Sequence, residues 1–236
     1  MTPGWYGKIP ATGDFITRRL PPAFSEPWDR WLQQVMDGSR ERLGAHWRES
    51  YLSMPAWRFL LSPGMVTPNA WAGLMLPSVD AAGRHFPLTV AAALPPACLN
   101  LPATLHAAQA WYDSLEEIAC SALAPKASVA AIDASFAGQP FRREWLHQVQ
   151  ASVDATVPFR STHAQMLAVP PAQIGMIAAQ LAEPCAVWLC GASENFERRA
   201  LLCEQLPSAE QYCGMMDGRW QEHGWSQRDL AGAKAA

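Results

Sequence analysis

The chain has 236 residues, of which 50% are apolar and 17% are charged, and its formal net charge is −3. This composition can supply a sizeable core and excludes an intrinsically disordered chain, which needs low hydrophobicity and a high net charge. Nucleic-acid binding is disfavoured as well, because contacts to phosphates normally require a basic balance.

The start of the chain and its apolar stretches carry no membrane signal. The first residues, MTPGWYGKIPATGD, lack the basic segment and the apolar run of a signal peptide. The longest apolar stretch, Leu88 to Leu101, contains prolines and is too short to span a bilayer. We therefore expect a cytoplasmic protein with no direct membrane insertion, whose six cysteines stay reduced.

The first predicted elements are a short strand and a long helix. Trp5–Pro10 is aromatic and ends in proline, which suits a first strand or an edge strand, and Gly13-Asp14 marks a turn. A helix is predicted from an N-cap at Ser25 to a stop at Gly44, because apolar residues recur with helical spacing between them. The members of this stripe are Trp28, Trp31, Leu32, Val35 and Met36.

Three strand-like runs follow, and each is bounded by proline or glycine: Trp57–Leu61, Ala70–Leu76 and Leu88–Leu94. Their short connections favour antiparallel strands. A single long helix is then predicted over Thr104–Leu123, and Pro125 forces its end.

The second half of the chain has a weaker pattern. The predicted elements there are helices near Glu144–Ser152 and Ala172–Leu181, a strand near Thr156–Phe159, a hairpin of Cys185–Cys190 with Ala200–Cys203, and a helix near Ser208–Met216. No internal repeat or interdomain linker is evident. The sequence thus predicts one α+β domain, residues 1–225, with a mostly antiparallel central sheet, and a disordered tail of residues 226–236.

Ser78, Asp80 and His85 together contain the side chains of a hydrolase. Triad members normally come from separate parts of a chain, and the nucleophile sits on an exposed turn such as G-x-S-x-G. Neither condition holds here, and a polar turn between two strands explains the same residues. A hydrolase or phosphatase that uses these three residues is kept as the alternative function.

Other signatures of catalysis or metal binding are not found in the sequence. Gly7-Lys8 lacks the earlier glycine and the following Ser or Thr of a phosphate-binding loop. There is no C-x-x-C or H-E-x-x-H motif, and cysteines without such spacing are usually small core residues. We therefore predict no catalytic residue, no metal site and no cofactor.

Several dispersed motifs of the first half resemble a known family. They are GWYGKIP (4–10), GDF (13–15), RRLP (18–21), WDxWL (28–32), WRF (57–59), WxG (71–73), PSVD (77–80) and GRxFPL (83–88). In this order they resemble the N-terminal signature of the TagF family, proteins associated with type VI secretion in Gram-negative bacteria. The resemblance covers most of residues 4–95, and the second half of the chain fits more loosely.

The resemblance implies a fold, a function and a partner. The fold is a sheet sandwiched between helices, similar to longin and profilin-like domains. The function is post-translational repression of type VI secretion through contact with the forkhead-associated (FHA) scaffold protein of the apparatus. Some relatives are fused to a PPM-type phosphatase, whose acidic metal-binding motifs are missing here, so a stand-alone, non-enzymatic form is expected.

The polar members of these motifs are the candidate site. They are Lys8, Asp14, Arg18, Arg19, Ser78, Asp80 and Arg84. We interpret them as a cluster that organises the fold, in which Arg84 bridges carboxylates and turn backbones, because charges near a core need partners. A partner-binding patch is the competing interpretation. Two further questions stay open: small-ligand binding, as in other profilin-like domains, and homo-oligomer formation.

Overall fold

The computed structural model describes residues 1–95, 100–147, 166–169, 185–191 and 197–227, with backbone alone for 166–169 and Gln227. The described strands form one nine-stranded sheet in the order β2-β1-β5-β4-β3-β7-β8-β6-β9. The strands are β1 (Gly4–Gly7), β2 (Ile16–Arg18), β3 (Trp57–Leu61), β4 (Ala70–Leu76), β5 (Leu88–Leu94), β6 (Met166–Val169), β7 (Ala186–Cys190), β8 (Arg199–Cys203) and β9 (Ser226–Gln227). Every described pairing is antiparallel except that of β6 with β9.

The helices cover both faces of this sheet. They are α1 (Pro22–Leu43), α2 (Trp47–Ser53), α3 (Leu101–Ala107), α4 (Gln109–Ala122), α5 (Val129–Ala137) and α6 (Ala209–Asp217). One hydrophobic core lies between the sheet and α1, α2 and α6, and a second lies between the sheet and α3, α4 and α5. The expected α+β fold with a mostly antiparallel sheet between helices is confirmed.

Helix α1 contributes the aromatic layer of the first core. All five residues of the predicted stripe are buried, and the helix ends before Gly44, whose φ of 52° suits glycine. The predicted start was wrong: the helix begins at Pro22, where a proline at the first helical position needs no N–H partner. Ser25 lies inside the helix, and its Oγ donates to the Pro21 carbonyl at 3.3 Å.

Strands β3, β4 and β5 form the centre of the sheet, with the bounds that the sequence predicts. The first strand is shorter than expected, Gly4–Gly7, and it is internal because β2 forms the edge. The single helix predicted over Thr104–Leu123 is wrong, since α3 and α4 are separated at Ala108. The second of these helices ends at Ala122, three residues before Pro125.

In the second half, the predicted hairpin is confirmed as β7 paired with β8. Helix α6 is confirmed too, with Ser208 as its N-cap in a capping box. The helix predicted from Glu144 is wrong at its start, because a 3-10 turn at Arg143–Trp145 is followed by an extended Leu146.

Some predictions on the second half concern residues beyond the described ranges. Ala172–Leu181 and Thr156–Phe159 lie outside the described residues. The tail was predicted to begin at residue 226, but Ser226–Gln227 pairs with β6 as strand β9. Residues 228–236 of that tail lie outside the described part of the chain.

Candidate functional site

The centre of the motif cluster is Asp80, in the loop between β4 and β5. Its side chain is 0% exposed. Oδ2 accepts from Lys8 Nζ at 2.9 Å and from Arg84 Nε at 2.7 Å, while Oδ1 accepts from the backbone N–H groups of Ala82 and Arg84, each at 2.9 Å. Burial alone would raise the pKa of Asp80, but these hydrogen bonds outweigh it and hold the pKa well below its ordinary value. Asp80 is therefore a carboxylate fixed in its charged form.

The topology of the sheet brings Lys8 to this loop. Strand β1 pairs with β5, with Tyr6 opposite Thr89, so the residue that follows β1 lies beside the residues that precede β5. Gly7 has a φ of 135° and sits so close to Pro87 that a Cβ would lie 2.1 Å from the Pro87 carbonyl oxygen. Only glycine permits this approach, which positions Lys8 over the loop.

Ser78 and Tyr51 close the other side of the loop. Ser78 Oγ donates to the Lys8 carbonyl at 2.7 Å, and the Tyr51 hydroxyl both donates to the Ser78 carbonyl and accepts from the Ser78 N–H, each at 2.9 Å. Burial raises the pKa of Tyr51 well above its ordinary value, so the hydroxyl stays protonated. The hydrogen bonds of Ser78 thus connect the loop to the residue after β1 and to helix α2.

Arg84 links the cluster to the N-terminal motif. Its Nη2 donates to the carbonyl of Gly13 at 2.5 Å, while 62% of its side chain remains exposed. Asp14 itself is exposed; its carboxylate accepts from the N–H of Phe15 at 2.8 Å, and its carbonyl accepts from Thr12 Oγ1 at 3.2 Å. The structure therefore joins Lys8, Ser78, Asp80 and Arg84 and leaves Asp14 outside the cluster.

The two arginines at the end of β2, Arg18 within the strand and Arg19 directly after it, do not reach the cluster either. Arg18 is exposed and donates to the neighbouring Thr17 carbonyl at 2.9 Å. Arg19 has a φ of 56°, and its Nη1 lies 2.8 Å from Asp133 Oδ2. Asp133 also accepts from Trp5 Nε1 at 2.8 Å, and the hydrogen bond from Arg19 is the main cause of its lowered pKa. Sequence reasoning missed Asp133, because its helix α5 was not predicted.

The three residues of the hydrolase alternative do not form a relay. Ser78 Oγ donates to a backbone carbonyl, and both oxygens of Asp80 are taken by other donors. Across the described ranges, no hydrogen bond joins His85 to either residue. The His85 ring instead packs edge-on against the rings of Trp47 and Tyr51, each at a centroid distance of 5.4 Å. This arrangement lacks the activated serine that nucleophilic catalysis requires.

A cavity of about 340 Å³ lies elsewhere, between β3, β7 and the α3–α4 pair. Its lining includes Arg58, Leu105, His106, Asp113 and Arg198. The guanidinium of Arg58 is already paired, with Asp113 at 2.8 Å and with Glu116 at 2.6 Å. None of the residues that line this cavity belongs to the Asp80 cluster.

The described residues offer neither a metal site nor a membrane-spanning helix. No group of three or more histidine, cysteine or acidic side chains there could hold a metal ion. Within the same residues, no helix combines the length and the apolar character needed to cross a membrane.

Comparisons with known proteins identify the family of the chain. Residues 4–138 match the family model of the TagF N-terminal domain, described as type VI secretion system-associated. The crystal structure of PA0076 from Pseudomonas aeruginosa PAO1 is 30% identical in sequence and covers 92% of this chain and 95% of its own, with a TM-score of 0.77. A search of curated proteins found no match. Because the family match spans more than half of the chain, the protein belongs to the TagF family of type VI secretion-associated proteins.

Proposed function

We propose that the protein is a post-translational repressor of type VI secretion that acts in the cytoplasm by contact with the FHA scaffold protein of the apparatus. The observation that carries the proposal is the TagF family match over residues 4–138. The fold similarity to PA0076 along most of both chains supports the same assignment for the second half.

The arrangement of the motif residues favours binding over catalysis. Lys8, Ser78 and Asp80 are buried, and their polar groups are bonded to one another and to nearby backbone. A catalytic group needs access to a substrate and a free proton acceptor or donor. We therefore propose that the protein is not an enzyme and that its function lies on its surface.

Two measurements test this proposal. Purified protein should capture the purified FHA scaffold in a direct binding assay, and deletion of the gene should raise secretion by the apparatus. Restoring the gene should return secretion to its original level. If the scaffold is not captured and secretion does not change in the deletion strain, the proposal is wrong.

The hydrolase alternative has its own control. The variant Ser78→Ala removes the hydroxyl but keeps the backbone that Tyr51 contacts. Broad hydrolase and phosphatase assays should show no activity that differs between the wild type and this variant. An activity present in the wild type and lost in Ser78→Ala would overturn the non-enzymatic assignment.

The cavity favours a second candidate function, the sensing of a small ligand. Its volume of about 340 Å³ is at the lower end of the range seen for ligand sites. Native mass spectrometry of the purified protein should then detect a bound compound, and Leu105→Trp, which fills the cavity, should remove it. A wild-type protein that carries no compound would exclude this candidate.

A further inference from the structure

The surface beside the Asp80 cluster carries a group of basic side chains, which we call the basic patch and which shares Arg84 with the cluster. It consists of Arg40, Arg48, Arg84 and His85. Arg40 lies in the last turn of α1, Arg48 is the second residue of α2, and the other two belong to the loop before β5. These four residues come from three separate segments of the chain, so only the fold brings them together.

Packing between the helices and the loop positions the patch. The Arg40 guanidinium lies 4.3 Å from the centre of the Trp47 ring, and Trp47 Nε1 donates to Ser39 Oγ at 2.9 Å. His85 packs edge-on against the same tryptophan. An arginine held over an aromatic ring loses less conformational freedom on binding than a free one, which makes it a good contact residue.

The three arginines give the patch its positive charge, and the exposed Glu41 and Glu49 adjoin two of them in the sequence. Burial lowers the pKa of His85, Arg48 and Arg40 lower it further and Asp80 opposes them, so the positive charge of the patch comes from its arginines and not from the imidazole. Arg40 pairs with Asp37 at 3.6 Å, but both side chains are more than half exposed, so this ion pair contributes little. Asp80 is already compensated by two cations.

Arg48 supplies the unpaired charge of the patch. It is exposed, and it forms no hydrogen bond or ion pair with the residues that the structure describes. Leu52 lies four residues further along α2, on the same side of the helix, and is 50% exposed. An exposed leucine beside arginines has the make-up of a protein interface, in which apolar contact is surrounded by charge.

We propose that the basic patch, together with Leu52, is the surface that docks an acidic face of the protein partner. This inference rests on the proposed function, in which that partner is the FHA scaffold. The protein as a whole has a net charge of −3, so an acidic partner is repelled by the molecule in general and attracted here. Complementary charge of this kind selects the docking face and speeds encounter.

The same inference gives the Asp80 cluster a second role. Asp80 fixes the backbone and the guanidinium of Arg84, and Tyr51 ties Ser78 to helix α2. These bonds hold the loop against the helix that carries Arg48. The motif residues thus organise the fold and, by doing so, set the spacing of the basic patch.

The test measures the affinity of the purified FHA scaffold for the full-length chain and its variants. Arg40→Glu/Arg48→Glu should weaken binding by at least about 10-fold, because two attractive charges become repulsive. The matched control is Arg30→Glu/Arg142→Glu, which makes the same change in net charge at two exposed arginines elsewhere, and it should stay within about 2-fold of the wild type. Raising the salt concentration from about 50 mM to about 300 mM should weaken the wild type more than the double variant.

Each result bears on the inference. If the wild type binds and the patch variant binds as tightly as the control, the inference is wrong while the proposed function stands. Equal loss in both double variants would also overturn it, since it would indicate a general effect of charge. A wild type that does not bind the scaffold would remove the proposed partner and this inference together.

Folding of the variants is controlled separately. Arg40→Glu loses the contact with Trp47, so the melting temperature of each variant is measured first. If Arg40→Glu/Arg48→Glu is destabilised, the affinity of the single variant Arg48→Glu tests the inference instead, because this substitution removes no hydrogen bond or ion pair that the structure describes. A loss of at least about 3-fold supports the inference, and unchanged affinity contradicts it.

Discussion

Replacing Asp80 with alanine would leave the Lys8 ammonium without a carboxylate in a site that water hardly reaches. The Lys8 side chain is 8% exposed, and its Nζ lies 2.9 Å from Asp80 Oδ2. The substitution also removes the acceptor for the backbone N–H groups of Ala82 and Arg84. Arg84 loses less, because most of its side chain is exposed and its contact with Gly13 remains.

The size of the effect follows from these contacts. Removing one partner of a buried ion pair costs about 3–5 kcal/mol, and a part-buried N–H left without an acceptor adds about 1 kcal/mol. With two such N–H groups, we expect Asp80→Ala to lower the free energy of unfolding by about 5–7 kcal/mol, a large share of the stability of a typical domain. Asp80→Asn keeps an acceptor for the N–H groups and should cost about 3 kcal/mol.

Urea unfolding followed by tryptophan fluorescence measures this difference, since the chain has 11 tryptophans and several of them are buried. Lys8→Met is the partner variant in a double-mutant cycle. Because Lys8→Met/Asp80→Ala leaves no buried unpaired charge, the double variant should be more stable than the sum of the single effects by about 2 kcal/mol.

Two results would contradict this reasoning. A cost below about 1 kcal/mol for Asp80→Ala would mean that the cluster does not organise the fold. Strict additivity in the cycle would mean that Lys8 and Asp80 do not stabilise each other in solution. In either case the polar residues of the motifs would have to be reconsidered as a contact surface.

The lowered pKa of Asp80 predicts that the stability of the protein depends on pH. The stabilisation by the Asp80 carboxylate is present above the ordinary carboxyl pKa and is lost as pH falls towards the lower pKa of the folded state. Between pH about 5 and about 2, the wild type should therefore lose more stability than Asp80→Asn. Gly73→Ala should unfold or aggregate the protein, because its Cβ would lie 2.1 Å from the Val90 carbonyl oxygen. Gly13→Ala, where a Cβ meets nothing within 4 Å, is the control and should keep its melting temperature. Ser208→Ala should cost about 1 kcal/mol in urea unfolding by removing the N-cap of α6, and an unchanged midpoint would contradict that role.

Burial on both faces made the central strands predictable. β3, β4 and β5 are mainly apolar runs with prolines or glycines near their ends, so their composition predicts strands and their flanking residues predict where the strands end. The start of α1 was predicted wrongly because two signals for a helix N-terminus, Ser25 as an N-cap and Pro22 as a first helical residue, lie close together. With Ser25 as N-cap, Pro27 would lie in the first turn of the helix, where proline is tolerated. The helix instead begins at Pro22, and Pro27 lies in its interior.

The Asp80 cluster and the basic patch could not be predicted from local sequence patterns. The motifs identified Lys8 and Asp80 through a family resemblance, but these residues are 72 positions apart, and only the pairing of β1 with β5 brings them together. Arg48 gave no signal in the sequence, and His85 was noted only as a member of the hydrolase alternative, not as part of a surface with Arg48. Their proximity depends on how α2 packs against the loop, which local sequence patterns do not encode.

Strand β3 forms a continuous ladder with β7, from Trp57 opposite Cys190 to Leu61 opposite Ala186. The stretch that matches the TagF N-terminal domain ends at residue 138, so its sheet is completed by strands beyond that stretch. A fragment of residues 1–138 would expose the apolar edge of β3, and we expect it to aggregate. Deletion mapping of the partner surface would therefore report lost binding for any fragment cut there, wherever the partner binds. Point substitutions on the intact chain avoid that error.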